Sequence, residues 1–361
     1  MKHIALLLPE LEAGGAQRVI LLLAREFVTR GHCVDLVILR ATGSLQSEIP
    51  DGVNLVNLAA REYGFGQLGF TCTSVVRLTM WLKRARPEVL LSTITGANLV
   101  ALLARKMLYS SPKIIIREAA TLKNARTTLF TKAMSWLYPQ ADAVIALSHI
   151  MAEELTAELG VSPSKIHLIS NPVDVDFIQA QAQLPLDHSW LNDTRLKIIV
   201  SVGRLVPQKD YTTLLRAFAL LPSSLPIRLI IIGEGSEHKS LEHLAVELSI
   251  SKKVEFVGFD KNPWRWMARA DLFVLSSLWE GYPNVLLEAL ALNLPVISTE
   301  YDASVHDLAA HYHFSVVPAA DPESLALALD SLLQNGCQPN KYKPIHIKTK
   351  IVDNYLEVLA R

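Results

Sequence analysis

Short apolar runs alternate with longer stretches of helical spacing along the whole chain. Ile4–Leu8 is the first run. Gly14-Gly15 follows, and Ala16, Val19, Ile20, Leu23 and Phe27 then recur at the spacing of one helix face until Gly31 stops it. Val34–Leu39 is the next expected strand, and the unit repeats with strands at Val89–Leu91, Ile114–Ile116 and Ala143–Leu147. Strands apolar throughout and separated by helices are buried on both faces of a parallel sheet. The pattern breaks near Asn171-Pro172-Val173-Asp174, and residues 176–195 carry Pro185, Asp187, His188, Asn192 and Asp193. This turn-rich stretch is the expected linker. Alternation restarts with strands Ile198–Val202, Arg228–Ile232, Val254–Val257, Leu272–Leu275 and Val296–Thr299, and helices Thr213–Leu221, Leu241–Leu248 and Val285–Leu292. The chain therefore reads as α/β, with two Rossmann-like, doubly wound parallel-sheet domains facing a cleft. The N-terminal domain is expected over residues 1–175 and the C-terminal domain over 196–345. Residues 346–361 form a last helix with the option of packing back on the N-terminal domain. Ligands of such sheets bind beyond the carboxyl ends of the strands.

Composition narrows the classes. A length of 361 residues suits two domains. The formal net charge is zero, which argues against general nucleic-acid binding. Residues 1–172 nevertheless hold about five more basic than acidic side chains, and the remainder about five fewer. Cys33, Cys72 and Cys337 show neither metal spacing nor a disulfide framework. A reducing compartment, the cytoplasm, is therefore expected. The opening MKHIALLLPELEAGG reads as a buried strand and lacks a small-residue cleavage site. No stretch reaches the roughly 18 apolar residues of a membrane-spanning helix.

The candidate chemistry is concentrated between Glu280 and Glu288. Gly281-Tyr282-Pro283-Asn284 is a turn out of the strand Leu272–Leu275, and a helix follows through Val285, Leu286, Glu288 and Leu290 to Asn293. Free N–H groups and the positive dipole end at a helix start favour phosphate. A carboxylate accepts two hydroxyl hydrogen bonds, so each glutamate suits a vicinal diol of a sugar. A helix cap for Glu280 and a plain surface charge for Glu288 are the simpler alternatives. Arg204 and Lys209 lie in the loop after Ile198–Val202, at the same end of the sheet. Asp174-Val-Asp176 is the one Asp-x-Asp spacing of note, and it falls in the linker motif, so no metal or other cofactor is expected.

The run Glu280-Gly-Tyr-Pro-Asn-Val-Leu-Leu-Glu288 resembles the signature of the retaining glycosyltransferases of family four, which have the GT-B fold. Val202-Gly203-Arg204-Leu205, Lys209-Asp210, Ile232-Gly233-Glu234-Gly235, Phe256-Val257-Gly258 and Ala270-Asp271 fall in the family's order. The resemblance implies that Glu288 binds the nucleotide ribose and Glu280 the transferred sugar. It implies that Arg204 and Lys209 hold the donor diphosphate and that Gly281, Asn284 and Val285 line the donor site. Gly15 joins this set as a close backbone approach, with a helix-entry turn as the alternative. Phe259 joins it as part of a base pocket, with a core role as the alternative. The donor implied is a nucleotide sugar, UDP being favoured, and the acceptor a lipid-linked or polysaccharide glycan such as lipopolysaccharide or O-antigen. A nucleotide-sugar epimerase or hydrolase on a similar fold is the competing reading.

On the acceptor side, Arg117-Glu118 follows the strand Ile114–Ile116. Arg117 is read as a phosphate contact and Glu118 as a contact to an acceptor hydroxyl, an ordinary ion pair being the alternative. Val75–Arg86, with Trp81, reads as a basic amphipathic helix, and a second such stretch holds Lys123, Arg126, Lys132 and Trp136. These suit an anionic membrane surface. A sheet-covering helix with a solvated basic face is the alternative. Localisation is thus expected to be cytoplasmic, with peripheral attachment to the inner face of the membrane included.

Overall fold

The protein is described here by a computed structural model covering residues 1–12, 14–61, 66–119, 128–335 and 348–360. Its chain forms two units, Met1–Pro172 with Lys348–Arg361, and Val173–Ile347.

The first unit is built on β1 (His3–Leu8), β2 (Cys33–Ile38), β3 (Val53–Asn57), β4 (Val89–Thr93), β5 (Lys113–Arg117), β6 (Ala143–Ala146) and β7 (Ile166–Leu168). They pair in the order β3-β2-β1-β4-β5-β6-β7. All pairings are parallel. Helices α1 (Gly15–Thr29), α2 (Gly66–Ala85), α3 (Thr95–Lys106), α4 (Thr128–Leu137) and α5 (His149–Ala157) lie between them in sequence. The chain starts in the middle of the sheet and builds outward on both sides, so β1 and β4 meet where the winding reverses.

The second unit repeats the plan with β8 (Lys197–Val202), β9 (Ile227–Ile232), β10 (Val254–Gly258), β11 (Leu272–Leu275), β12 (Val296–Thr299) and β13 (Ser315–Val317), in the order β10-β9-β8-β11-β12-β13. Its helices are α6 (Val175–Ala182), α7 (Ser189–Asn192), α8 (Tyr211–Leu220), α9 (His238–Glu247), α10 (Trp264–Met267), α11 (Asn284–Ala291), α12 (Ser304–Tyr312) and α13 (Pro322–Asn335). Successive residues of each central strand enter opposite cores. Ile198, Val200, Ile230, Ile232, Phe273 and Leu275 face one cluster. Ile199, Leu229, Ile231, Leu272 and Val274 face the other. Helices cover both faces, which is why these strands carry no polar alternation.

The expected linker over residues 176–195 is corrected by the structure. Asp174 accepts a hydrogen bond from the Phe177 N–H at 3.5 Å and caps α6. Ile178 and Ala182 are buried in the second unit, with Trp190 and Leu191 packed against the same core. His188 Nε2 lies 2.9 Å from Glu255 Oε2 on β10. The polar residues of this stretch are caps and turns between short amphipathic pieces, whose apolar positions are too sparse to show as a run.

The last helix, α14 (Lys348–Ala360), belongs to the first unit. Ile351, Val352, Tyr355, Val358 and Leu359 recur at helical spacing and enter the core formed by α1, β1, β2 and β4. Lys2 Nζ and Lys113 Nζ donate to the last-turn carbonyls of Leu359 and Val358 at 3.2 and 2.9 Å. These cations meet the negative end of the helix dipole. Inside, Tyr355 Oη accepts from Arg117 Nε at 3.0 Å. Tyr355→Phe strips a buried guanidinium of that partner, so the variant is expected to lose about 1–3 kcal/mol of stability in urea denaturation. An unchanged midpoint would show the bond to be dispensable.

Candidate active site

In the second sheet the winding reverses between β8 and β11. The loops leaving these two strands are fastened to each other. Leu278 N–H donates to Gln208 O at 2.8 Å, and Gln208 Nε2 donates to Trp279 O at 2.8 Å. Ser276 Oγ donates to Lys209 O at 2.7 Å. Within this frame Lys209 Nζ donates to Glu280 Oε1 at 2.5 Å. Ser277 Oγ donates to the same oxygen at 2.6 Å. Oε2 of Glu280 hydrogen-bonds to no described residue, although the residue is only 6 % exposed.

Local sequence explains the aim of Lys209. Pro207 opens a short 3-10 turn, and Asp210 ends it in the left-handed region at φ 44°. Aspartate tolerates that conformation because its short side chain bonds locally. Here Asp210 Oδ1 accepts from the Thr213 N–H at 3.2 Å and caps α8. The chain turns sharply after Lys209, leaving its side chain at the strand end. Arg204, earlier in the same loop, is exposed, and its guanidinium has no partner among the described residues.

The loop after β9 closes against the same segment. Gly203 N–H donates to Ile232 O, Leu205 N–H to Glu234 O, and Glu237 N–H to Leu205 O, at 2.8–3.0 Å. Gly233 adopts φ +146°, and a Cβ there would stand 1.9 Å from Gly203 O. A Cβ on Gly235 would stand 2.2 Å from Leu205 O. Phe259, after β10, is half-buried, and its N–H donates to Glu234 Oε1 at 3.4 Å. Burial, reinforced by Asp210, holds the Glu237 carboxyl above its ordinary value.

Glu288 lies on α11 in the second turn, half-buried. Trp264 Nε1 donates to its Oε2 at 2.8 Å. Gly281, Asn284 and Val285 are half-buried around the start of this helix, and Asn293 ends it at φ 57°. Glu280 makes no cap bond to α11, so the simple capping alternative does not hold. Pro283 stands at the N-cap of α11. Neither Ser277 nor Trp264 was anticipated. A serine three residues before a glutamate is a faint local signal, and the indole reaches Glu288 only through the packing of α10.

Residues 186–349 match the family described as "Glycosyl transferases group 1", and residues 13–177 match "Glycosyltransferase Family 4". The N-acetylgalactosamine-N,N'-diacetylbacillosaminyl-diphospho-undecaprenol 4-alpha-N-acetylgalactosaminyltransferase of Campylobacter jejuni is 34% identical over 253 residues, 68% of this chain and 67% of that protein. The chain belongs to the family-four glycosyltransferases. A second C. jejuni protein, GalNAc-alpha-(1->4)-GalNAc-alpha-(1->3)-diNAcBac-PP-undecaprenol alpha-1,4-N-acetyl-D-galactosaminyltransferase, is 26% identical over 344 residues, 93% of this chain and 90% of that protein. Anabaena HepE, solved in complex with UDP and glucose, matches with a TM-score of 0.80 over 100% of both chains at 17% identity. The two parallel-sheet units therefore have the GT-B fold.

The remaining expected site residues of this glycosyltransferase lie in the first unit. Gly15 is the exposed first residue of α1, after β1. Arg117 and Glu118 require correction as acceptor contacts, because both are 0 % exposed. Arg117 donates to Tyr355 Oη, to Thr93 Oγ1 at 2.8 Å and to Asn171 Oδ1 at 2.5 Å. Glu118 accepts from Thr95 Oγ1, from the Ala119 N–H and, at 2.6 Å, from Tyr138 Oη. Burial first, and the Glu118 charge next, push the Tyr138 phenol well above its ordinary value, so it remains the donor. The two residues do not pair with each other. They tie β5 to α14, to the Asn171 segment and to α3. Lys123, Arg126 and Cys337 lie outside the described residues.

The loop packing generates a direct test. Gly233→Ala places a methyl group against the Gly203 carbonyl and forces an unfavourable φ on alanine. The expected result is a loss of at least about 1–3 kcal/mol in urea denaturation. A variant as stable as the wild type would mean that the β8 and β9 loops are not held this close.

Proposed function

We propose that this glycosyltransferase retains anomeric configuration, works without a metal, and moves a hexose or N-acetylhexosamine from a UDP-sugar to a lipid-linked or polysaccharide glycan. The carrying observation is the meeting of Lys209 and Glu280 at the β8–β11 reversal, with Arg204, which no described residue neutralises, earlier in the same loop as Lys209. Arg204 and Lys209 receive the donor diphosphate. Glu280, held through Oε1, offers Oε2 to a hydroxyl of the transferred sugar. Glu288, steadied by Trp264, takes the ribose diol. Gly15, Phe259, Gly281, Asn284 and Val285 complete the donor set. UDP is favoured because HepE was solved with it. The acceptor class follows the undecaprenol-linked substrates named for the C. jejuni relatives.

In the proposed reaction the bond from the anomeric carbon to the donor phosphate oxygen breaks. The acceptor oxygen bonds the anomeric carbon on the same face, and its proton passes to the departing phosphate oxygen. Nucleoside diphosphate leaves, and no enzymic nucleophile is consumed. Negative charge builds on the leaving group, and fixed cations that need no reorganisation stabilise it. Removing such a group typically costs about 10²–10³ in kcat.

The first unit supports action at the cytoplasmic face of a membrane. No helix among the described residues is long and apolar enough to cross one. On α2, Leu78 and Leu82 are buried while Val76, Met80, Lys83 and Arg84 are exposed. On α4, Trp136 is 59 % exposed beside exposed Lys132, and Lys106 Nζ stands 5.2 Å from its ring centre. Basic residues over exposed apolar side chains suit anionic headgroups.

Two measurements test this reading. Thermal stabilisation by UDP-, GDP- and ADP-sugars should single out UDP-sugars. Glu288→Ala should lose that response, because stabilisation follows the logarithm of ligand over dissociation constant. Proton NMR of the product should then show the donor's anomeric configuration, in the presence of EDTA. An inverted product, or a response to no nucleotide sugar at millimolar concentration, would sink the proposal. For the membrane, wild type should sediment with phosphatidylglycerol vesicles and not with phosphatidylcholine ones, and a Met80→Ser, Trp136→Ser variant should bind several-fold more weakly. Equal sedimentation of the two proteins would remove this surface from the account.

A further inference from the structure

Trp264 opens α10 and is 7 % exposed, in the same buried cluster as Leu286, Leu287 and Leu290 of α11. Phe177 of α6 stands edge-on to its ring, with centres 5.5 Å apart and planes at 81°. The chain just before α10 is tied to α6 as well, since Asn262 Nδ2 donates to Gln181 O at 2.9 Å. From this seat the indole Nε1–H donates to Glu288 Oε2 at 2.8 Å. The second tryptophan of α10 is used differently. Trp266 Nε1 donates to Asp260 Oδ2 at 2.7 Å, a contact six residues away in the chain, whereas Trp264 reaches across to another helix.

An indole has one donor and no acceptor. With that donor given to Oε2, Trp264 acts on a bound nucleotide only through the carboxylate. A carboxylate has about four acceptor sites, so this bond leaves capacity for both hydroxyls of a ribose. Phenylalanine would fill the apolar seat equally well. What the N–H adds is direction. A glutamate side chain loses rotamer freedom when it is held. A carboxylate already held before the ligand arrives does not have to be ordered by the ligand, and that difference appears as affinity.

We propose that Trp264 is a positioning residue for Glu288, and that it sets how strongly the donor site prefers a nucleotide with an intact 2′,3′-diol. This rests on the reading of Glu288 as the ribose contact. A site built to bond hydroxyls rejects analogues that lack them, because its own polar group is then left unpaired. The rejection is sharpest when that group is fixed and cannot turn away to find another partner.

The test measures dissociation constants of UDP and 2′,3′-dideoxy-UDP by calorimetry on wild type, Glu288→Ala and Trp264→Phe. Wild type should bind UDP at least about tenfold more tightly than the dideoxy analogue, the worth of a hydrogen bond to a charged group. Glu288→Ala should abolish that preference. Trp264→Phe should bind UDP about three- to tenfold more weakly, the cost of ordering one side chain, and the dideoxy analogue as wild type does. The preference therefore narrows by the same factor. A Trp264→Phe variant with the full preference would overturn the proposal and leave Glu288 standing. An equal loss for both ligands would also overturn it, by showing the indole to be merely structural. Should Trp264→Phe fail to fold, benzothienylalanine at position 264, which keeps the indole shape but has sulfur in place of the N–H, decides between the same outcomes. A wild type that binds neither ligand or does not distinguish them, or a Glu288→Ala variant that keeps the preference, would bring down the ribose reading and Trp264 with it.

Discussion

The contact between Lys209 and Glu280 is the constraint on which the second unit's chemistry depends. Its two partners are 71 residues apart and meet because β8 and β11 are adjacent strands that the chain leaves in opposite directions. Three loop-to-loop hydrogen bonds hold the frame, and the ion pair sits inside it, with 15 and 8 % of the two side chains exposed. Burial of such a pair is weak evidence for a stabilising purpose, since desolvation offsets most of the attraction. Rigid placement of both charges at a strand end is what the arrangement provides, at the place where doubly wound sheets take their ligands.

Much of this fold could be read from the sequence, for a reason visible in its cores. Central strands are buried on both faces, so β1, β8, β9 and β11 appear as mainly apolar runs. The strands that reading missed, β3, β7 and β13, all lie at sheet edges. Val53–Asn57 is largely exposed, and Ile166–Leu168 and Ser315–Val317 are three residues each. Nothing in their periodicity separates them from loops. They become strands because a neighbour offers a hydrogen-bonding edge. The region 176–195 failed in the opposite sense, its caps and turns concealing helices that earn their place only through Trp264, Trp266 and the rest of that core.

The site divides along the same line. Glu280, Glu288, Arg204 and Lys209 stand in loops or at a helix start after strands, and sequence order alone puts them at one end of one sheet. Their supports, Ser277 and Trp264, depend on tertiary contact and left almost no trace. Arg117-Glu118 occupies the same kind of position, directly after a central strand, yet is entirely buried. The difference is made more than 200 residues later, where Tyr355 of α14 covers the end of β5. Position relative to a strand is thus a sound guide to which end of the sheet a residue occupies. It carries no information about what will later close over that end.

The charges around the Glu280 turn are arranged unequally. Lys209 already faces a carboxylate, whereas Arg204 faces none among the described residues. In the proposed reaction the diphosphate therefore finds one cation ready and one shared. Arg204 governs capture, and its contribution weakens with salt because it is exposed. Lys209 lies buried against Glu280, where solvent screens it least, so its charge acts most strongly on negative charge that forms close by. A lysine that neutralises Glu280 in the empty site can turn toward the leaving phosphate as that charge develops, while Ser277 continues to hold the carboxylate in place. In the proposed reaction Glu280 then keeps the Ser277 hydroxyl and a hydroxyl of the sugar as its partners, while the Lys209 charge faces the phosphate.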